Sequence, residues 1–184
     1  MGNKFSRARH AYKPPRTRPK ERQQHAYAAF DAIDGRHPWR HAVPGGYVNY
    51  HARTRASGKV MYFNFALAKE IGLVPSDHAH RMNAKLEKKI LSTFGLQILN
   101  EYDEAMGTTF PRHQLKPNAY MATRYLQLQH KDKSGRTSGD GRSIWNGCCE
   151  HNGALWDFSS CGTGVTRLSP GAVSADRPLR TGYG

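Results

Sequence analysis

The sequence predicts an α+β domain, an antiparallel sheet carrying two or three helices, and three observations lead to that class. Met82, Leu86 and Ile90 recur at four-residue spacing, the single apolar face of a surface helix. Leu126 and Leu128 alternate with Gln127 and Gln129, the period of two that marks a half-buried strand. Two further strand-like stretches, 142–145 and 154–160, are joined through Asn152-Gly153, a dipeptide suited to a type I′ hairpin turn.

The elements follow in order along the chain. Residues 1–22 carry eight basic residues, one acid and three prolines, with no apolar run to offset the entropy of ordering, so they read as a disordered basic arm. Residues 23–60 are rich in His, Pro, Gly and aromatics and read as an irregular lead-in, with a short strand at 47–50. The domain proper is expected over 61–168. Asn64 caps a first helix that Gly72 and Pro75 close near Ile71. Ser76 or Asp77 would cap the second helix, which runs to about Thr93 and stops at Gly95. The stretch 96–100 fits either a strand or a last helical turn, 125–129 is a strand, and the hairpin follows. Residues 169–184 read as a loose tail.

Composition narrows the function classes. The 184 residues suffice for one domain with a core. The net charge of +14 is concentrated at the front: residues 1–60 hold 13 Lys and Arg against 3 Asp and Glu, and residues 61–184 hold 15 against 11. No run in the arm forms the apolar core of a secretory signal, and Pro14, Pro15 and Pro19 spoil the amphipathic helix of an organelle-targeting peptide. No stretch has the length and apolarity of a membrane span, so no membrane partner is expected. Three cysteines, two of them adjacent, form no disulfide framework, which points to a cytoplasmic setting. Cys148, Cys149 and His151 lack the second ligand pair of a structural zinc site.

The most informative segment lies between Gly139 and Gly164. Its first turn, Gly139-Asp140-Gly141-Arg142, combines backbone that approaches a ligand closely with a carboxylate and a guanidinium. Its second, Gly162-Thr163-Gly164, follows the strand that ends in Cys161. A Gly-Asp-Gly turn serves equally as a tight connection between strands, and the second turn lacks the third glycine of a dinucleotide fingerprint. Cys161 has no neighbouring base in sequence and reads as a small buried side chain. His51, His78 and His80 read as solvated surface, and Trp145 and Trp156 as anchors of the sheet.

Three stretches in this order and spacing resemble the N-terminal part of the selenoprotein O (SelO, YdiU) family. They are Phe65 to Leu73, Gly139 to Ile144, and Trp156-Asp157-Phe158 leading to Gly162-Thr163-Gly164, which together span about residues 61–170. The resemblance implies a protein-kinase-like fold of which this chain supplies much of the N-terminal lobe. It implies AMP transfer from ATP, with magnesium, to Ser, Thr or Tyr hydroxyls of proteins, the nucleotide bound in an inverted pose. Gly139, Asp140, Gly141, Arg142, Gly162 and Gly164 would then face the nucleotide phosphates.

The chain departs from the family at informative places. Where the family strand ends in Leu-Lys-Gly-x-Gly, this chain reads Ser160-Cys161-Gly162-Thr163-Gly164, so a thiol stands at the lysine position. A thiol cannot neutralise phosphate charge, so Arg142 or Arg167 would have to substitute. The family's Pro-Tyr-Ser-Arg and second Gly-Asp-Gly-Arg are missing. Only 23 residues follow Cys161, without the second-lobe Asn, Asp and base that phosphoryl or nucleotidyl transfer requires. The expectation is therefore a fragment of a divergent family member, inactive alone, with apolar surface left exposed. A reading from another class rests on the arm: the cations of residues 1–22, with Phe5, His10 and Tyr12 among them, would hold a nucleic-acid backbone.

Overall fold

The computed structural model describes residues 26–42, 47–122 and 142–169 in full, and residues 125–126 and 137–138 through their backbone. The class is α+β with antiparallel sheets and few helices. The main sheet holds β1 (Val48–Tyr50), β4 (Tyr120–Ala122), β7 (Ser143–His151) and β8 (Ala154–Cys161) in the order β1-β4-β7-β8, every pair antiparallel. A second ladder joins β2 (Ala52–Thr54) to β3 (Leu96–Ile98), and a third joins β5 (Tyr125–Leu126) to β6 (Thr137–Ser138). The helices are α1 (Trp39–Ala42), α2 (Phe65–Glu70), α3 (Ala84–Phe94) and α4 (Glu101–Ala105).

The β7–β8 hairpin forms where the dipeptide places it. Asn152 and Gly153 have φ of 51° and 75°, the left-handed pair that a type I′ turn requires, and His151 faces Ala154 across it. β7 runs on past Trp145 to His151 because a bulge at Trp145/Gly147 re-phases its side chains. Ile144, Asn146 and Cys149 are buried, whereas Trp145 and Cys148 fall on the other face.

Helix α2 starts at the predicted cap, with the Asn64 side-chain oxygen accepting from Leu67 N–H at 3.0 Å. Helix α3 starts later than expected. Its cap is Asn83, which accepts from Lys85 N–H at 3.1 Å and Leu86 N–H at 3.0 Å, so residues 76–82 are not helical. The cause is tertiary: Asn83 Nδ2 donates to the Tyr27 hydroxyl at 2.8 Å, which also lies 2.8 Å from His78 Nε2. His78 is thus a half-buried structural residue rather than solvated surface. Leu86 and Ile90 are buried as the stripe predicts, and Met82 packs beside them.

Residues 26–33, expected as irregular lead-in, supply core. A 3-10 turn at Ala28–Ala32 buries Phe30, and Tyr27 and Ile33 flank it in a cluster with Leu73, Leu86 and Ile90. A second cluster forms around Tyr50, Leu96, Ile98, Tyr120 and Ile144. Helix α4 was not expected. Its signal is the capping box of Asn100 and Asp103, whose side chains reach each other's backbone N–H. Met61 and Tyr62 stay 86% and 82% exposed before α2.

Tyr50 ties β1 to α4 and to the backbone at Arg167. Its hydroxyl donates to Glu101 Oε1 at 2.7 Å and accepts from Arg167 N–H at 2.9 Å. Burial, together with the Glu101 carboxylate, pushes its phenol from 10.0 up to about 12. A raised folded-state value means that the neutral phenol's contribution is complete below the ordinary value and is lost as pH climbs from 10.0 to about 12. Burial shifts Tyr120 in the same direction. Urea unfolding at pH about 9 and about 11 should show wild-type stability falling across this window, with the fall shallower in Tyr50→Phe.

Candidate functional site at the end of the hairpin

The register of β7 and β8 pairs Ser143 with Cys161, which sets Arg142 beside the Gly162-Thr163-Gly164 turn at one end of the sheet. Thr163 is buried. Its N–H and its hydroxyl donate to the Arg142 carbonyl at 3.3 Å and 3.2 Å, and its own carbonyl accepts from Ile98 N–H at 2.8 Å. The turn is thereby folded down onto β3. Gly164 explains why no side chain stands there: φ is 123°, and a Cβ would come 2.9 Å from Ile98 Cγ1. The amide of Thr163 is spent inside the fold, so side-chain charge rather than an amide nest is what this turn offers an anion.

That charge comes from two arginines. Arg142 is exposed immediately before β7. Arg55, exposed after β2, donates from Nη2 to the Gly162 carbonyl at 2.8 Å, and its N–H donates to Gly95 O at 2.9 Å. A hollow of about 230 Å³ adjoins it, lined by Arg55, Ala56, Ser57, Gly58, Leu91 and Gly95. Sequence reasoning missed Arg55, which lies 107 residues from the turn within a stretch that carries no local pattern. Arg167, named as a substitute for the absent lysine, is exposed, and its backbone N–H donates to the Tyr50 hydroxyl at 2.9 Å.

Cys161 is exposed, not buried, because β8 is an edge strand and its odd-numbered positions face outward; its Sγ lies 3.3 Å from Ser143 Oγ. Gly139, Asp140 and Gly141 lie outside the described residues, as do the arm at 1–22 and residues 170–184 of the tail. Among the described residues no group of three or more His, Cys, Asp or Glu side chains could hold a metal ion. Nor do the adjacent thiols converge, since Cys149 turns inward toward the Ile71 carbonyl at 3.8 Å and Cys148 falls on the opposite face of β7.

A second polar cluster sits on the outward face of the hairpin. The buried His37 ring has Nε2 2.7 Å from Asp157 Oδ1, while its Nδ1 accepts from Trp39 N–H at 3.1 Å. That acceptor role places the proton on Nε2, which donates to the carboxylate. His37, Trp39 and Trp145 pack ring to ring, with centroids 5.0 to 5.4 Å apart. Cys148 is the strand partner of Asp157, but burial and the nearby Asp157 and Asp34 carboxylates push its thiol up, the reverse of what a nucleophile needs. The cluster clamps the 33–42 segment to the sheet.

Among the described residues no helix is long and apolar enough to cross a membrane. No family model, curated protein or solved structure matches the chain.

Proposed function

We propose that this chain is a nucleotide-phosphate-binding domain resembling the N-lobe of the SelO family. The observation that carries the reading is the Arg55 guanidinium on the Gly162 carbonyl of a turn that Thr163 ties to the Arg142 main chain. In this reading the Arg55 guanidinium at the turn, joined by the exposed Arg142 side chain, supplies charge where the family's lysine is replaced by Cys161. ATP is then the ligand, its phosphates held by Arg55 and Arg142, with the backbone N–H groups of Gly139, Asp140 and Gly141 completing the cradle. AMP transfer to protein Ser, Thr or Tyr, with magnesium, is the reaction the resemblance attaches to that site, and a cytoplasmic setting accords with three unpaired thiols.

Arg142→Ala and Arg55→Ala should each weaken ATP binding about tenfold or more, the loss of one charge-assisted phosphate contact. Calorimetric titration of ATP into wild type and both variants checks this. Absence of binding in wild type, or unchanged affinity in both variants, would overturn the reading. The alternative, a nucleic-acid partner held by the Arg and Lys residues of 1–22, makes a separate prediction. Binding to single-stranded RNA should fall steeply with salt and disappear when residues 1–22 are deleted, as read by fluorescence anisotropy.

A further inference from the structure

β8 is the last strand of the main sheet, and among the described residues no strand pairs with its outer edge. The opposite edge, β1, is only three residues long, whereas β8 has eight. Proteins blunt long edges with lysine, proline or a bulge in the edge strand itself. β8 reads Ala154-Leu155-Trp156-Asp157-Phe158-Ser159-Ser160-Cys161 and has none of these, its neighbour β7 carrying the bulge. It holds one charge, Asp157, in a chain of net charge +14, and that carboxylate is already engaged by His37. Leu155 is 55% exposed, and Trp156 and Phe158 are half-buried.

The turn fixes which backbone groups face outward. His151 and Ala154 flank a two-residue loop and so form a hydrogen-bonded pair, after which bonded and non-bonded pairs alternate. Leu155, Asp157, Ser159 and Cys161 therefore direct their N–H and C=O groups to the free edge.

We propose that β8 pairs antiparallel with β8 of a second copy of this chain, joining the two main sheets across a two-fold axis. Pairing of outward-facing groups requires the axis to pass through a residue position. Centring on Asp157 sets two carboxylates opposite each other, which disfavours that register. Centring on Phe158 sets Asp157 opposite Ser159 of the second copy and Leu155 opposite Cys161 of the second copy, and brings the two Phe158 rings together. The edge carries no cation, so it is where two strongly basic copies meet with least repulsion. Salt that screens the remaining charge strengthens this association, whereas it would weaken the docking of an acidic partner.

Sedimentation of the full chain over a concentration series should give a dimer that tightens with salt. Ser159→Asp, at an exposed position, places a carboxylate opposite Asp157 twice and should weaken the dimer about tenfold, whereas Ser159→Lys should tighten it. Oxidation of a Leu155→Cys variant should give an intermolecular disulfide that mass spectrometry maps from position 155 to Cys161. A monomer at all concentrations, association that weakens with salt, an unchanged dimer in Ser159→Asp, or a cross-link mapped elsewhere would each overturn the proposal.

Discussion

The Phe30→Ala variant is expected to lose about 3–5 kcal/mol of folding stability, the range for deleting a fully buried aromatic ring. Phe30 is 1% exposed, meets Phe94 edge-on at 6.2 Å between centroids, and sits in the cluster that holds Leu86 and Ile90 of α3. An ion pair of Lys89 with Asp31 joins the same two elements at the surface. Deleting the ring leaves a cavity between the 3-10 turn and α3 that neither element can close without abandoning its own hydrogen bonds. Urea unfolding followed by circular dichroism measures the loss. If the segment before Lys59 were a peripheral lead-in, the shift would stay within about 0.5 kcal/mol, as for a surface substitution.

Gly147→Ala should cost about 2–4 kcal/mol, combining a left-handed backbone position with a close approach to neighbouring main chain. Its φ is 131°, and an added Cβ would lie 3.1 Å from Arg36 O, 3.3 Å from Asp34 N and 3.3 Å from the Ile33 Cα. Those neighbours are backbone, so no rotamer change relieves the contact. The 33–36 segment would have to lift from the bulge, against the 2.7 Å bond from Gly35 N–H to the Asn146 carbonyl. Lifting it draws His37 from Asp157 and separates Trp39 from Trp145, so Trp fluorescence should change with stability. Native-like fluorescence and an unchanged urea midpoint would refute this account of the bulge.

These two sites show what local reading reached and what it did not. The hairpin was legible because Asn152-Gly153 adopts its turn from intrinsic left-handed preference, with no help from distant residues. The cap at Asn64 and the stripe of Leu86 and Ile90 were legible for the same reason, since each acts within one turn of helix. The start of α3 was not. Ser76 and Asp77 have the right chemistry for a cap, but Asn83 also bonds Tyr27, and that long-range bond fixes the helix start. The capping box at Asn100 and Asp103 was present in the sequence and local in nature, and reading for it would have found α4.

The candidate site divides the same way. Arg142 and the Gly162-Thr163-Gly164 turn stood out in sequence, and the β7–β8 register brings them together. Arg55 arrives from another ladder, through a bond whose partners are 107 residues apart. By itself the sequence determined the α+β class, the hairpin and its turn, the helix stripe, and the basic charge, because propensity, period and composition act locally or sum over the chain. Only the tertiary structure decided that residues 26–33 are core, that α3 begins at Asn83, that Cys161 faces outward, and that Arg55 closes on the glycine turn. Each of those depends on contacts between distant segments, whose energy is decided by packing and leaves no mark in the sequence near either partner.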